Sequence, residues 1–274
     1  MPMAFALSSE EIETYRENGY LLKERLFTRD EVTNFRLSCD SVESRVKEAI
    51  KTERAREYHL DQNVFLDVDG YTVQLEHNKH LDRLRVVEPV DNLDERFDRL
   101  VDDVRLATPA RQLVGASKLA LWTAKLNFKS HGVGSGFGWH QDSPYWMHDC
   151  AHVDLLPNVM VNFDDSTVEN GCLRLIRGSH KRGILPGTAD GSQLGGFYTN
   201  PSLIDKNEEI AIEAAAGSVL FFDPHLIHGS GPNSSANPRR AIILTYQPAG
   251  FEMLKRACVR NISVCLLYTS PSPR

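Results

Sequence analysis

The chain has 274 residues, of which 41% are hydrophobic, 25% charged and 8% aromatic, a globular composition that excludes a disordered chain, a collagen-like repeat or a coiled coil. Lys+Arg number 31 against 37 Asp+Glu, a formal charge of −6, and the longest basic clusters are pairs such as Arg239-Arg240. Phosphate neutralisation needs a clustered basic face, so neither nucleic acid nor an anionic membrane is an expected partner.

In chain order, the opening MPMAFALSSEE has no basic n-region and turns acidic at once, so no secretory signal is expected. Ser8-x-x-Glu11 is a capping box that predicts a short polar helix ending near Asn18-Gly19. Tyr20, Leu21 and Leu22 make a brief strand-like run. A second capping box, Thr28-x-x-Glu31, precedes Val32, Phe35, Cys39, Val42, Val46 and Ile50 at helical spacing. Residues 51–70 are polar, and Asp69-Gly70 between Val64-Phe65-Leu66 and Tyr71-Thr72-Val73 signals a hairpin. Helical periodicity returns over Asp94–Leu106, and Pro109 is expected to open another helix at Leu113-Val114.

From Leu119 the texture changes. Short β-type runs (Leu119–Phe128, Asn158–Phe163, Cys172–Ile176, Ser218–Phe222, Ala241–Tyr246) alternate with glycine-rich turns, which predicts an antiparallel sandwich or barrel. One domain is expected over 1–264, with helical support roughly over 8–118 and the β core roughly over 119–250. The last ten residues, Cys265–Arg274, resemble a translated sequencing-adapter tail, so native sequence is expected to stop near Val264. The five cysteines are scattered without CxxC spacing, and no apolar run nears the ~20 residues that span a bilayer. A reducing cytoplasm is the expected location.

Chemistry concentrates in two places. In Gly138-Trp139-His140-Gln141-Asp142 the histidine and aspartate stand two apart, so on an extended strand both project from one face. A later strand bearing His228-Gly229-Ser230 can add a second imidazole. Two histidines and one carboxylate on one face leave other positions open and suit non-haem Fe(II), whereas no thiolate stands by for a closed zinc site. His225 is a rival third ligand, but strand alternation with the following Gly-Ser favours His228. His148 and His152 are expected on a loop or at the surface, and His180 in a turn.

The wider pattern carries a family likeness. Met160-Val-Asn-Phe-Asp-Asp165, Glu169-Asn-Gly-Cys-Leu173, Arg177-Gly-Ser-His180, Gly217-Ser-Val-Leu-Phe-Phe222 and His228-Gly-Ser-Gly-Pro-Asn-Ser234 follow one another in a single family's order. The sequence resembles the phytanoyl-CoA dioxygenase family of Fe(II)/2-oxoglutarate-dependent oxygenases over roughly Ser8 to Gln247. That likeness implies a double-stranded β-helix (jelly-roll, cupin-like) core with supporting helices. It implies His140, Asp142 and His228 as iron ligands, and Arg239, eleven residues after His228, as partner of the distal carboxylate of 2-oxoglutarate. A guanidinium suits that role because it forks onto a carboxylate and stays charged when desolvated. Ser230 matches a serine on the same carboxylate, Asn127 a cosubstrate-contacting asparagine of the ectoine hydroxylase branch, and Lys129 and Gln141 are further cosubstrate contacts. Where some members place an aromatic residue against the cosubstrate, Met160 stands here.

The implied reaction uses Fe(II), 2-oxoglutarate and O2 to hydroxylate an aliphatic C–H of a small molecule, releasing succinate and CO2. Desaturation or epimerisation by a related iron enzyme is an alternative; halogenation is disfavoured because Asp142 fills the position a halide needs. A cupin-like metal-binding protein without oxygenase activity is a third reading, opposed by Arg239 with Ser230, since it needs no dicarboxylate clamp. Ser143–His148 and the glycine-rich loop Leu185–Asn200 are the expected pocket lining and lid. Net acidity gives no sign of a CoA-phosphate site.

Overall fold

The computed structural model describes residues 5–263 apart from 53, 54, 61, 62, 69, 78–81 and 189–197. The Cys265–Arg274 tail and the centre of the expected lid lie outside the described residues. Helix α1 (Ser9–Asn18) opens with the predicted capping box, Ser8 and Glu11 satisfying each other's backbone N–H, and closes on Gly19 at φ 82°. Strand β1 (Tyr20–Lys23) follows. Helix α2 (Arg29–Thr52) starts at the second box: the Thr28 N–H donates to Glu31 Oε2 (2.8 Å) and the Glu31 N–H to Thr28 Oγ1 (3.3 Å).

Between α2 and the β core, the helical expectation for 8–118 fails in part. Residues 56–88 form four strands, β2 (Arg56–Leu60), β3 (Asn63–Val68), β4 (Tyr71–Leu75) and β5 (Leu84–Glu88), a meander that includes the predicted hairpin. Their polar alternate positions face a cavity rather than solvent or core, which hides the apolar pattern. Helices α3 (Glu95–Val101) and α4 (Val104–Val114) come next. The break falls at Asp102-Asp103, not at Pro109, because the Asp103 side chain caps the Arg105 N–H and restarts the helix; Pro109 lies inside α4.

The remaining strands are β6 (Leu119–Lys129), β7 (Phe137–His140), β8 (Asn158–Asn162), β9 (Leu173–Ile176), β10 (Glu209–Ile212), β11 (Val219–Phe222), β12 (His228–Ser230), β13 (Arg239–Pro248) and β14 (Arg260–Asn261), with a one-turn helix α5 (Ser143–Trp146) after β7. They build two antiparallel sheets. The larger runs β1-β11-β8-β13-β6-β5-β4-β3-β2, with β14 added on β6, and the smaller runs β10-β9-β12-β7. Together they form a jelly roll that stays open rather than closing into a barrel.

Period-2 alternation divides the large sheet between two jobs. Val73, Val87, Leu126, Ile242, Leu244 and Val161 point outward and are buried with Val32, Phe35, Val42 and Val46 of α2 and Phe97 and Leu100 of α3. Met160, Leu220, Phe222 and Ala241 point inward and pack with Leu175 and Ile212 of the small sheet. Toward the β5–β6–β13 region the inward face turns polar, with Asn127, Lys125 and Arg239. A sheet face that carries amides and charges inside a sandwich is the wall of a site. No described helix is long and apolar enough to cross a membrane.

Candidate active site

Strand pairing assembles three side chains. His228 on β12 lies opposite His140 on β7 in register, and their rings stand 4.2 Å apart, centroid to centroid. Asp142 follows just beyond β7. His140 Nε2 is 3.9 Å from Asp142 Oδ1 and His228 Nε2 is 3.7 Å from Oδ2. One ligand atom from each residue fits within 4.8 Å of the others, the one such cluster found among the described residues.

The outer atoms of these side chains are held. His140 Nδ1 bonds to the Gly138 carbonyl (2.7 Å) and His228 Nδ1 to the Leu226 carbonyl (2.9 Å), which places the proton on Nδ1 and leaves both Nε2 lone pairs facing inward. Burial, with the neighbouring His228, pushes His140 down to about 3, so it is a neutral imidazole at physiological pH. For Asp142, burial pushes upward, but His228 and Lys125 outweigh it and the carboxyl stays below its ordinary range. Its Oδ2 accepts from Asn158 Nδ2 (2.8 Å), and Asn158 Oδ1 accepts from Thr245 Oγ1 (2.7 Å). Two imidazole nitrogens and one oriented carboxylate are the donor set of a non-haem Fe(II) facial site.

A cavity of 60 Å³ adjoins the cluster, lined by His140, Asp142 and His228 together with Asn127, Ser230 and Arg239. Arg239 is 4% exposed, and its Nε and Nη1 have no hydrogen-bond partner among the described residues. Burial lowers the guanidinium to about 10, so it stays charged at neutral pH. A desolvated cation with unspent donors is expensive unless an anion fills the space before it, and this orphaned fork fits a carboxylate. Strand alternation turns Arg240 the other way, onto Asp164 and Asp40.

The other predicted contacts divide. Lys129 does not line the cavity: its Nζ donates to Ser230 Oγ (2.8 Å) and to the Gly231 and Gly171 carbonyls, so it braces Ser230 from behind. Burial and the charges of Arg239 and Arg85 lower it to about 6. Gln141 is turned away altogether, because alternation between His140 and Asp142 projects it to the opposite face. There its amide donates to the Gly183 and His225 carbonyls, and its Oε1 accepts from the Leu185 N–H. It staples the two segments that carry the cluster rather than touching a cosubstrate. Met160 lines the cavity. His225 is engaged by Ser143 Oγ (2.8 Å) and Asp154 (2.7 Å), His152 by Gln247, and His180 by the Arg16 carbonyl.

Beyond the cluster opens a second cavity of 470 Å³, within the ~300–1,000 Å³ range of small-molecule pockets. Its floor is the β2–β5 meander (Tyr58, Phe65, Thr72, Gln74, Val86, Glu88), and its rim includes Tyr145, Trp146, Tyr198 and Leu254. Tyr145 and Trp146 come from the predicted aromatic segment, and Tyr198, from the outgoing limb of the expected lid, reaches to 6.1 Å from the His140 ring. Lys125 lines both cavities. The motif reading missed Lys125, Glu88 and Asn158; Lys125 lies two residues before Asn127, so strand alternation alone puts it on the same wall.

The phytanoyl-CoA dioxygenase family model matches residues 15–241. The chain belongs to the phytanoyl-CoA dioxygenase family. Ectoine dioxygenase of Bordetella parapertussis is 29% identical over 266 residues, covering 89% of this chain and 76% of that one. L-proline trans-4-hydroxylase of Streptomyces griseoviridis is 31% identical over 180 residues, 60% of this chain and 67% of that one. Among solved structures, EctD from S. alaskensis with 2-oxoglutarate and 5-hydroxyectoine superposes with a TM-score of 0.67 at 22% identity, covering 91% of this chain and 78% of that one. The 2-oxoglutarate-dependent carbocyclase SnoK from nogalamycin biosynthesis gives 0.66 at 19% identity, covering 94% and 97%. These superpositions establish the jelly-roll fold. Phytanoyl-CoA dioxygenase family members are 2-oxoglutarate-dependent dioxygenases, and this chain is an enzyme of that class.

Proposed function

We propose that the chain is a non-haem Fe(II)- and 2-oxoglutarate-dependent dioxygenase that hydroxylates an aliphatic C–H of a small molecule. His140, Asp142 and His228 would hold the iron, and Arg239 with Ser230 the distal carboxylate of 2-oxoglutarate. The observation that carries this reading is the buried, half-unpartnered Arg239 fork opening on the same cavity as the two imidazoles and the carboxylate. A metal-storage or scaffold protein has no use for it.

When bound, iron with 2-oxoglutarate and O2 supplies the oxidant for C–H cleavage, with succinate and CO2 released. The chain's own contributions are positional. The Gly138 and Leu226 carbonyls fix both imidazole tautomers, Asn158 fixes the carboxylate rotamer, and Leu173, Met160 and Ile243 give the inner cavity an apolar wall. Ser230 Oγ already accepts from Lys129 and, at 3.4 Å, from the Phe137 N–H, so its own hydroxyl proton is free to be donated into the cavity. Ectoine dioxygenase and L-proline trans-4-hydroxylase act on small molecules by name, and the 470 Å³ outer cavity supports a substrate of that scale.

The test is O2-dependent release of succinate from 2-oxoglutarate by the Fe(II)-loaded protein, screened against amino acids, acyl-CoAs, osmolytes and terpenoid or polyketide intermediates. Absence of succinate in folded, iron-loaded protein overturns the reading. A finer outcome concerns Asn158: Asn158→Ala frees the Asp142 carboxylate and should weaken Fe(II) binding by ~10–100-fold while the fold persists. Titration with Fe(II) or Co(II) followed by absorbance measures it.

A further inference from the structure

Resting on the dioxygenase reading, the geometry points to a substrate class: we infer that the outer cavity takes a small carboxylic acid whose carboxylate is received by Lys125, the residue that sets specificity. The inference starts from which polar groups of the cavity still have hydrogen-bonding capacity. Glu88 is committed, since its Oε1 accepts from Thr123 Oγ1 (2.9 Å) and its Oε2 pairs with Lys255 Nζ (3.2 Å). Arg85 is largely committed too: it donates to Asn63 Oδ1 and the Gly136 carbonyl, and its guanidinium lies 3.9 Å over the Phe137 ring. Its Nε alone lacks a partner among the described residues.

Lys125 is different. It stands on β6 between Thr123 and Asn127 on the inward face, and the β5–β6 register (Val86↔Asn127, Val87↔Leu126) brings Glu88 opposite it. Glu88 and Asp142 both act on it through space, yet its ammonium makes no hydrogen bond or ion pair with any described residue. An ammonium has three donors, and those of the half-buried Lys125 open on the cavity, where a ligand can take them. At the junction of the two cavities the free donors of Lys125 favour an anion, while the Asp149 carboxylate, which also lines the outer cavity, leaves room for a cationic group on the same molecule.

Two carboxylates could reach this point, that of the substrate and the one 2-oxoglutarate places nearest the metal. The substrate is favoured because Lys125 is shared between the inner cavity and the outer one, where the apolar walls Tyr58, Leu60, Phe65 and Trp146 suit a hydrocarbon body. A carboxylate fixed at the junction leaves that body's remaining carbons to lie over the His140–Asp142 edge. The cavity thus reads a carboxylate head near the metal and an apolar frame away from it.

The experiment uses the Fe(II)-loaded full chain and a panel of aliphatic and cyclic amino and carboxylic acids, each paired with its primary amide. Succinate release is measured with each compound, and binding by calorimetry under anaerobic conditions. The wild type should be stimulated by one or more acids at a concentration at least tenfold below that of the matching amide. Lys125→Gln should raise the acid's half-saturation and dissociation constant tenfold or more and erase the acid–amide preference, Lys125→Arg should restore part of it, and half-saturation by 2-oxoglutarate should move less than threefold. Equal stimulation of the wild type by acids and amides overturns the substrate class, while succinate release itself still supports the dioxygenase. A 2-oxoglutarate requirement that rises as much as the acid's assigns Lys125 to the cosubstrate and overturns the inference. If no succinate forms with any compound, the dioxygenase reading falls first.

Discussion

Asp142→Ala is expected to abolish both the weak visible charge-transfer band of the anaerobic Fe(II)–2-oxoglutarate complex and the formation of succinate, with turnover falling a thousandfold or more, ~4 kcal/mol. Asp142 is the sole carboxylate of the cluster, and its two oxygens stand 3.9 and 3.7 Å from the two Nε2 atoms. Without it, two imidazoles must hold a dication beside the positive charge of Lys125. The fold should survive, because the Asp142 N–H bond to the Pro224 carbonyl is backbone and the residue buries no apolar surface. Asp142→Asn separates charge from shape: it keeps the volume and an acceptor for Asn158 while removing the negative charge. Retention of the band in Asp142→Ala, in protein whose thermal unfolding is unchanged, would show that the cluster is not the metal site.

How much of this was legible before the fold was known follows from the period-2 geometry of strands. His140 and Asp142 share a face in any extended chain, and one cross-strand pairing brings His228 opposite His140. The Gly-rich turns marked the β core, and five of its runs were placed to within a residue or two at most ends. Beyond its β3–β4 hairpin, the β2–β5 meander was not legible, because Thr72, Gln74 and Glu88 look like surface positions, whereas their face lines the outer cavity while Val64, Leu66 and Val73 cover the helices. Gln141 shows the reverse error. Adjacency to two chemical residues suggested a shared pocket, whereas alternation sends the middle residue of an HxD strand away from it.

Lys129 and Lys125 differ in role although alternation puts both on the inward face. Lys129 spends its donors on two carbonyls and on Ser230, so its effect on the cavity passes through that hydroxyl. Lys125, four residues earlier, has no acceptor among the described residues to spend them on. A motif that records only residue types at a spacing cannot distinguish a braced lysine from a free one. Distances to acceptors can.

Arg239→Ala should raise the 2-oxoglutarate concentration needed for half-maximal succinate release by ~30-fold at least and up to several thousandfold, since truncating one partner of a buried charge pair costs about 2–5 kcal/mol. Fe(II) affinity should change less than threefold, because Arg239 is not one of the clustered ligand residues. Arg239→Lys should recover only part of the loss, a point charge replacing a fork. The unpartnered Nε and Nη1 give a second readout that needs no turnover. Without an anion the buried guanidinium destabilises the wild type, so 2-oxoglutarate should raise its Tm, by linkage, with a dependence on concentration that follows its dissociation constant. Arg239→Met removes both the uncompensated charge and the binding partner. It should therefore melt at or above the wild type in the absence of 2-oxoglutarate and show no upward shift when 2-oxoglutarate is added. If the variant still gains stability with 2-oxoglutarate at wild-type concentrations, the carboxylate is held elsewhere and the assignment of Arg239 fails even with the iron cluster intact.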